Sequence, residues 1–373
     1  MATGSIAGND SLLGGARHGV RILALAYILV FAALIVLVAG IAVFGNPHAG
    51  DAVEQINIDL TRHVVKKTAA AAKPATPAQP PTQPPAATPA PSPTSSEETA
   101  TPLQTEDAGA LVADQALIEK TPQGPLPRIG DDGTMPMNAY APAVISTGKP
   151  RIAILIDGFG LSAKATSAAL DALPSAVTLG FLPYADDVQH WVTEARRRGH
   201  EVLLEVPMQP YDFPDSDPGK YALRSGTGED ANIQRLVWSL TRFTGYAGVT
   251  NFLGGRFLSD SDALSPVLTY LTRRGLLFYD DGSALHSVSP SVAQQTGTYF
   301  AQSNSQIDNI QSAMEIDRQL SNLETAARSF GHASGSGLLY PVTVSRVAAW
   351  AQGLQGRGFV LVPVSAIVGQ TKQ

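Results

Sequence analysis

The chain opens with one long apolar run. Residues 22–44 contain no charged side chain. At about 1.5 Å of rise per residue, a helix of this length spans roughly 34 Å, enough to cross a bilayer core of about 30 Å. The apolar core of a cleaved signal peptide is shorter, at about 7–15 residues. We therefore predict a transmembrane helix over 22–44 that is retained as an anchor.

The charges that flank this run predict its direction. Arg17 and Arg21 lie immediately before it, whereas the first charged residues after it are Asp51 and Glu54. Positive side chains favour the cytoplasmic side of a span. We expect residues 1–21 in the cytoplasm and the C-terminal domain on the periplasmic or extracytoplasmic side, in a single-pass protein of the cytoplasmic membrane.

The hydrophobic pattern then lapses over residues 45–115. Within this segment, 70–105 consists of Ala, Pro, Thr, Gln and Ser with almost no large apolar side chain. Such a sequence cannot bury enough apolar surface to offset the entropy of ordering it. We predict a disordered, partly polyproline stalk. Residues 116–148 have turn signals and spaced apolar residues without a period, and we expect an arm that docks on the next domain.

From Lys149 onward, short apolar runs alternate with helical patterns. The apolar runs predict strands at 152–156, 177–182, 202–206, 248–253, 276–279 and 359–364. The helical patterns lie at 164–172, 188–198, 232–243, 264–274, 307–329 and 344–355. Nearly continuous apolar strands are typical of parallel sheets covered on both faces. With weaker strands at 299–301 and 333–336, we predict an α/β domain, either a doubly wound sheet or, as we favour, an irregular (β/α)7–8 barrel.

Composition excludes several kinds of chemistry. The net charge of −6 gives no general reason to expect nucleic acid as a partner. The chain has no cysteine, which removes disulfides, thiolate metal sites and cysteine nucleophiles together. No phosphate-loop motif occurs, so nucleotide binding is not indicated.

Candidate site residues come from the predicted strand ends. Active sites of barrels and doubly wound sheets lie at the carboxyl ends of the strands. Five polar residues stand at or just after such ends, and we expect them to converge on one rim: Asp157, Glu205, Asn251, Asp280 and Asp281.

Several stretches of residues 149–370 resemble the divergent polysaccharide deacetylases, a branch of the carbohydrate esterases. They include RIAILIDGFG, GHEVLLEVPMQP, GVTNFLGGRF, RGLLFYDDGS and GFVLVPVSAIV, in the family's order and spacing. The resemblance implies a distorted barrel of the glycoside hydrolase/deacetylase type and a polysaccharide ligand.

The chain departs from that family at its metal-ligand positions. The family pattern I-D-D-x-G has Gly158 in place of its second Asp, and L-L-H-x-P-M has Glu205 in place of His. Phe252 replaces the His of N-N-H-M-G-S, and Leu338 replaces that of G-H-P-x-P. Phe and Leu cannot ligate a metal, and Gly has no side chain. We therefore expect no metal ligand set and no cofactor, with a divalent cation held by carboxylates as the alternative.

Two functions remain open as hypotheses. In the first, a non-catalytic domain of the cell envelope binds polysaccharide or peptidoglycan, or organises an envelope complex. Its substrate-binding candidates are sugar-stacking rings and hydrogen-bonding side chains: Tyr184, Asn251, Phe252, Arg256 and Asp281. The alternative interpretation of these residues is that the rings pack beneath loops and the acidic group caps a turn.

In the second hypothesis, the domain is a hydrolase. Asp157, Glu205 and Asp280 are its candidate catalytic groups. They would remove N- or O-acetyl groups with a rebuilt carboxylate metal site, or cleave a glycosidic bond without metal. An adaptor role with a protein partner is a further alternative, although no residue pattern names that partner.

Overall fold

The computed structural model describes residues 114–144 and 148–370. Within those residues, no helix combines the length and apolar character needed to cross a membrane. The predicted span at 22–44 lies outside the described part of the chain. The same is true of the predicted stalk, apart from its last two residues.

The main sheet is parallel and curved, with helices on its outer side. Its strands are β3 (Arg151–Phe159), β4 (Thr178–Phe181), β5 (Val202–Met208), β6 (Gly248–Leu253), β7 (Leu277–Asp280), β8 (Tyr299–Gln302), β9 (Ser305–Gln306), β10 (His332–Leu338), β11 (Val360–Val362) and β12 (Gly369–Gln370). They pair in the order β12-β8-β7-β6-β5-β4-β3-β10-β9, and β11 pairs with the start of β3. All pairings are parallel except that of β12 with β8. The predicted α/β fold of barrel type is thus confirmed as a TIM-like half-barrel.

Helices follow most strands and cover the outer face of the sheet. They are α2 (Ala163–Ala172), α3 (Val188–Arg197), α4 (Glu229–Leu240), α5 (Ser261–Arg273), α6 (Ser289–Thr296), α7 (Ala313–Phe330) and α8 (Pro341–Leu354). Helix α7 begins later than predicted. Ser312 caps it, accepting a hydrogen bond from the N–H of Glu315. The N–H of Ile307 instead bonds to the carbonyl of Ser336, which continues the sheet past β9.

The segment before the sheet closes the amino-terminal mouth of the half-barrel. It contains the hairpin β1 (Ile118–Thr121) and β2 (Gly124–Pro127), then α1 (Pro136–Ala139). Leu117, Met137 and Tyr140 are buried in one apolar cluster with inward-facing residues of the strands, among them Ala153, Leu203 and Leu277. With this mouth plugged, access to the interior is left to the carboxyl ends of the strands.

Polar contacts of Arg274 and Glu201 stabilise the amino-terminal end of the half-barrel. Arg274 pairs with Glu119 and donates a 3.1 Å hydrogen bond to the carbonyl of Pro127. On the inner face, Oε1 of Glu201 accepts hydrogen bonds from the Thr178 hydroxyl at 2.9 Å and from the N–H of Ser365 at 3.1 Å. These bonds tie the C-terminal turn to the strands, and burial raises the pKa of Glu201.

Candidate functional site

Three carboxyl groups meet just inside the carboxyl end of the half-barrel. Asp157 lies near the end of β3, Glu205 in β5, and Asp281 directly after β7. Their residues are 5%, 1% and 9% exposed. Side chains alternate between the two faces of a strand. Because Leu155, Leu203 and Tyr279 belong to the inner cluster, the three acidic residues two positions later face inward as well. We call these three residues the rim carboxyl cluster.

Gly180 of β4 makes the close approach of two of these groups feasible. A Cβ added at Gly180 would overlap Oδ1 of Asp157 and would lie 3.1 Å from Oε1 of Glu205. The two carboxyl groups therefore approach the same point of the inner face. Any other residue at position 180 would occupy the place where they meet.

The protonation of the cluster follows from its burial. Desolvation raises the pKa of Asp157 well above its usual range, and the charges of Glu205, Asp281 and Asp308 raise it further. Burial raises the pKa of Glu205 to about 8, although the N–H of Gly158 opposes this by donating a 2.6 Å hydrogen bond to Oε1. The cluster therefore holds protons at neutral pH.

Asp281 is the member of the cluster with the smallest shift. Burial raises its pKa to about 6, and hydrogen bonds from Ser283 and Asn251 oppose the rise. The Ser283 N–H donates to Oδ1 at 2.8 Å. As the pH rises, Asp281 is thus ionised before Glu205.

Two uncharged polar side chains complete the inner surface around the cluster. Thr250 pairs in register with Glu205 on one side and with Tyr279 on the other, so all three face inward. Oδ1 of Asp157 and the Thr250 hydroxyl are buried without a hydrogen-bond partner. Burial raises the pKa of Tyr279, and hydrogen bonding with Ser334 and Ser303 opposes the rise. Buried polar groups are rarely left unpaired, so these atoms mark a place for a ligand or ordered water.

Asn251 holds backbone groups next to the cluster in place. It is 1% exposed. Its Oδ1 accepts a 3.0 Å hydrogen bond from the N–H of Asp281, and its Nδ2 donates to the carbonyl of Leu253 at 2.8 Å. Leu253 has a φ of 60°, a left-handed conformation that is unfavourable for leucine. Asn251 was predicted to contact substrate, but both its side-chain oxygen and its side-chain nitrogen are hydrogen-bonded to the backbone.

The structure does not bring Asp280 into the cluster. Asp280 is the neighbour of Asp281 and faces the other side of the sheet. Its carboxylate accepts hydrogen bonds from the loop and strand that follow: from Gly282 N–H at 2.9 Å, Ser287 hydroxyl at 2.6 Å, the Ser289 hydroxyl and Gln302 Nε2 at 3.1 Å. These bonds order the turn after β7, so the candidate catalytic group at 280 is placed as a structural one.

The predicted sugar-binding residues lie at the rim but not all are free. The ring of Tyr184 packs against Trp238, with ring centroids 5.3 Å apart, and Trp238 stacks on Tyr221 at 3.6 Å. This is the packing beneath loops that the alternative interpretation describes. Phe252 is half-buried, and Arg256 is exposed with its backbone N–H bonded to the carbonyl of Gln209.

Thr250, Tyr279, Gly180 and Asp308 were not singled out from the sequence. Asp308 holds the end of β10, because its Oδ2 accepts 2.8 Å hydrogen bonds from the Leu338 N–H and the Thr343 hydroxyl. The inward face of Thr250 is readable from the period-2 pattern, since it lies two residues before Phe252. The other three depend on contacts between distant strands.

The positions of the family's metal ligands do converge, but their side chains do not fit a divalent ion. Leu338 pairs in register with Asp157, and Phe252 lies two residues beyond Thr250 on the same face. Neither carries a donor atom, and Oε1 of Glu205 is bonded to the Gly158 N–H. Among residues 114–144 and 148–370, no group of three His, Asp or Glu side chains is arranged to hold a metal ion.

Sequence comparison decides the family. The sequence model of a family described as divergent polysaccharide deacetylase matches residues 154–368. The chain belongs to the divergent polysaccharide deacetylase family. Its membership confirms the resemblance found in the motifs, and supports a carbohydrate-related function with a polysaccharide as the class of ligand.

Relatives of this chain include proteins of two bacteria. The chain is 29% identical over 195 residues to the uncharacterized protein YibQ of Escherichia coli (strain K12), a match that covers 52% of this chain and 60% of YibQ. It is 23% identical over 209 residues to an uncharacterized protein of Haemophilus influenzae, covering 56% and 74% of the two chains.

A solved structure shows the same architecture. The crystal structure of an uncharacterized protein from Agrobacterium tumefaciens C58 superposes with a TM-score of 0.65 at 38% sequence identity. The superposition covers 66% of this chain and 100% of that chain. The fold described above is therefore shared with that protein.

Proposed function

We propose that this chain is a membrane-anchored, polysaccharide-binding protein of the cell envelope, whose rim carboxyl cluster takes the place of the family's metal site. The cluster carries the proposal. It lies where the family's ligands converge, it contains buried polar atoms with no partner, and its neighbours Phe252 and Leu338 offer carbon surface instead of donor atoms. Such a site retains a place for sugar hydroxyl groups while lacking the means to activate water through a metal ion.

The placement of the arm supports this proposal. The described chain begins at Asp114 beside the plug of the amino-terminal mouth, because Leu117 and Tyr140 lie in the inner cluster. The predicted stalk thus joins the domain at the end opposite to the rim. A stalk of about 70 residues would have a root-mean-square reach of roughly 45 Å if flexible. A tether of that reach would let the domain contact glycan at a distance from its anchor.

The test is retention of the full-length chain on immobilised peptidoglycan, chitin-type and exopolysaccharide fragments. We expect the wild type to bind at least one of them. Gly180→Ala should weaken binding by about tenfold or more, because its methyl group overlaps Oδ1 of Asp157. Gly356→Ala is the matched control, since a Cβ there has nothing within 4 Å.

A second variant distinguishes a loss of glycan binding from a folding defect caused by the substitution at position 180. Thr250→Val keeps the shape of a fully buried side chain and removes only the unpartnered hydroxyl. It should weaken glycan binding while the fluorescence of the three tryptophans stays that of the wild type. The proposal is overturned if the wild type binds no glycan, or if both variants bind as the wild type does.

A metal-free hydrolase is the second candidate, favoured by one observation. Asp157 and Glu205 approach a common point over Gly180, and burial raises the pKa of Glu205 to about 8. Retaining glycosidases use a protonated carboxyl group as general acid and an ionised one as nucleophile, roughly 5 Å apart, so this chemistry would require one of the two groups to lose its proton. Release of reducing ends by the wild type but not by Asp157→Asn would support this candidate, and no turnover of any bound glycan would remove it.

A further inference from the structure

We propose that the rim carboxyl cluster selects polysaccharide carrying free amino groups, that is, de-N-acetylated hexosamine units, over the N-acetylated form. This inference rests on the proposed glycan-binding function and names the chemical class of the ligand. Its support comes from charge, from unpartnered polar atoms and from the apolar side chains at the carboxyl end of the strands.

The first support is the absence of a counter-charge. Three carboxyl groups from three different parts of the sheet lie together, yet none forms a salt bridge with a basic side chain in 114–144 or 148–370. The salt bridges of those residues lie elsewhere. Asp281, whose pKa is about 6, is the member of the cluster that is ionised at neutral pH, and a buried carboxylate is costly unless it is paired with a positive charge. The cluster is therefore complementary to a cation that the described chain does not itself supply.

The second support is independent of the acidic groups. The hydroxyl group of Thr250 belongs to a fully buried side chain and lacks a hydrogen-bond partner. In-register pairing places Thr250 between Glu205 and Tyr279 on the inner face. Hydroxyl oxygens accept hydrogen bonds and also donate to a neighbouring carboxylate. The site thus offers acceptors on neighbouring strands, with Oδ1 of Asp157 as one that nothing else uses.

A primary ammonium group matches this set of acceptors better than an acetamide does. An ammonium has three N–H donors and no acceptor. An acetamide has one N–H donor and no charge, so it would leave the buried Asp281 carboxylate without a counter-charge. Charge-assisted hydrogen bonds are also about twice as strong as neutral ones. The same acceptors therefore favour the free amine and disfavour the acetylated sugar.

A divalent metal ion fits less well than an ammonium group. In the described residues, no three potential ligand side chains are placed so that they could coordinate a metal ion. One oxygen of Glu205 already accepts a bond from Gly158 N–H, and Oδ1 of Asp281 accepts one from Ser283 N–H. An ammonium group needs only acceptors within hydrogen-bond distance, and it does not require a fixed coordination geometry.

Two apolar side chains lie at the carboxyl end of the strands, beyond the cluster. Leu338 is 41% exposed and pairs in register with Asp157, while half-buried Phe252 lies on the inner face beyond Thr250. The carbon face of a hexosamine can lie against these side chains while its amino group points inward. A bare cation such as a lysine side chain would gain the charge but not this contact.

The experiment is calorimetric titration of the full-length chain with three probes: a glucosamine tetramer, an N-acetylglucosamine tetramer, and tetralysine. We expect the glucosamine tetramer to bind at least about tenfold more tightly than either of the other probes. Asp157→Asn and Asp281→Asn should each lower its affinity by a similar factor. Asp186→Asn removes an exposed carboxylate near the same rim and should leave it unchanged.

The outcomes separate this inference from the proposed function. Equal or tighter binding of the N-acetylglucosamine tetramer would overturn the amine preference and leave glycan binding intact. Equal binding of tetralysine, or an equal loss in Asp186→Asn, would show attraction to negative charge in general and also overturn it. No binding of either sugar, with none on the glycan panel, would overturn both. Thr250→Val tests the same site without a change of charge, and weaker glucosamine binding is expected.

Discussion

The backbone N–H of Gly158 donates a 2.6 Å hydrogen bond to Oε1 of Glu205. These two residues stand where the pattern of the family's metal-dependent members has an Asp and a His. Two positions that would hold a metal ion in that pattern are here joined directly to each other. The hydrogen bond fixes one oxygen of Glu205 and leaves the group as a buried, proton-holding acid.

The raised pKa of Glu205 predicts that the folded chain loses stability as the pH rises. Burial raises this pKa in the folded chain to about 8, above its usual value of about 4.3. A group raised in this way contributes stability that is fully present below its unfolded pKa and is lost as the pH rises through about 8. Glutamine keeps an acceptor for the Gly158 N–H and cannot ionise. Glu205→Gln should therefore be more stable than the wild type at pH 9, by on the order of 2 kcal/mol.

Urea unfolding of both proteins at pH 5 and pH 9, followed by tryptophan fluorescence, measures this effect. The advantage of Glu205→Gln should be present at pH 9 and small at pH 5, because the wild-type carboxyl is protonated at the lower pH. The same difference in unfolding free energy at both values would contradict the proposed burial of an acid.

Asn251 should be a positioning residue whose loss costs stability. Its side chain bonds to the N–H of Asp281 and to the carbonyl of Leu253. Asn251→Ala leaves a buried backbone N–H unpaired, at a cost of about 2–3 kcal/mol. The matched control is Asn322→Ala, because Asn322 is exposed on α7 and should change stability by less than about 0.5 kcal/mol. Similar unfolding midpoints for the two variants would argue against this role.

The plug of the amino-terminal mouth should be essential to the fold of the half-barrel. Met137 is 6% exposed and lies in the inner cluster. Truncation of a buried methionine costs about 2–5 kcal/mol, so Met137→Ala should lower the unfolding midpoint markedly. Met314 is 83% exposed, and Met314→Ala provides a control with the same chemical change. Equal midpoints would mean that the arm does not support the sheet.

Sequence reasoning located the rim but not the details of the site. Strand ends and period-2 alternation were sufficient to place Asp157 and Glu205 together, because both lie on long, apolar parallel strands. They did not distinguish Asp280 from Asp281, since the side that each faces depends on where β7 ends and the turn begins. Gly180 contributes by having no side chain, and that contribution exists only once Asp157 and Glu205 are packed against it.

The start of helix α7 was predicted wrongly for a similar reason. The apolar residue Ile307 fits a helical period, yet its N–H bonds to Ser336 and extends the sheet. Local pattern could not reveal this pairing, because its partner lies on β10, about 30 residues further along the chain. The aromatic residue Tyr184 was likewise visible in sequence, whereas its packing on Trp238 from α4 was not.

Metal content is the measurement that most directly tests the replacement of the family's metal site by the rim carboxyl cluster. The full-length chain would be dialysed against trace zinc, manganese, magnesium and calcium, and its bound metal measured by elemental mass spectrometry beside Asp157→Ala. We predict that wild type and variant carry the same background amount of every metal. About one equivalent of a metal in the wild type, lost in Asp157→Ala, would contradict the replacement and show a metal site rebuilt from carboxylates.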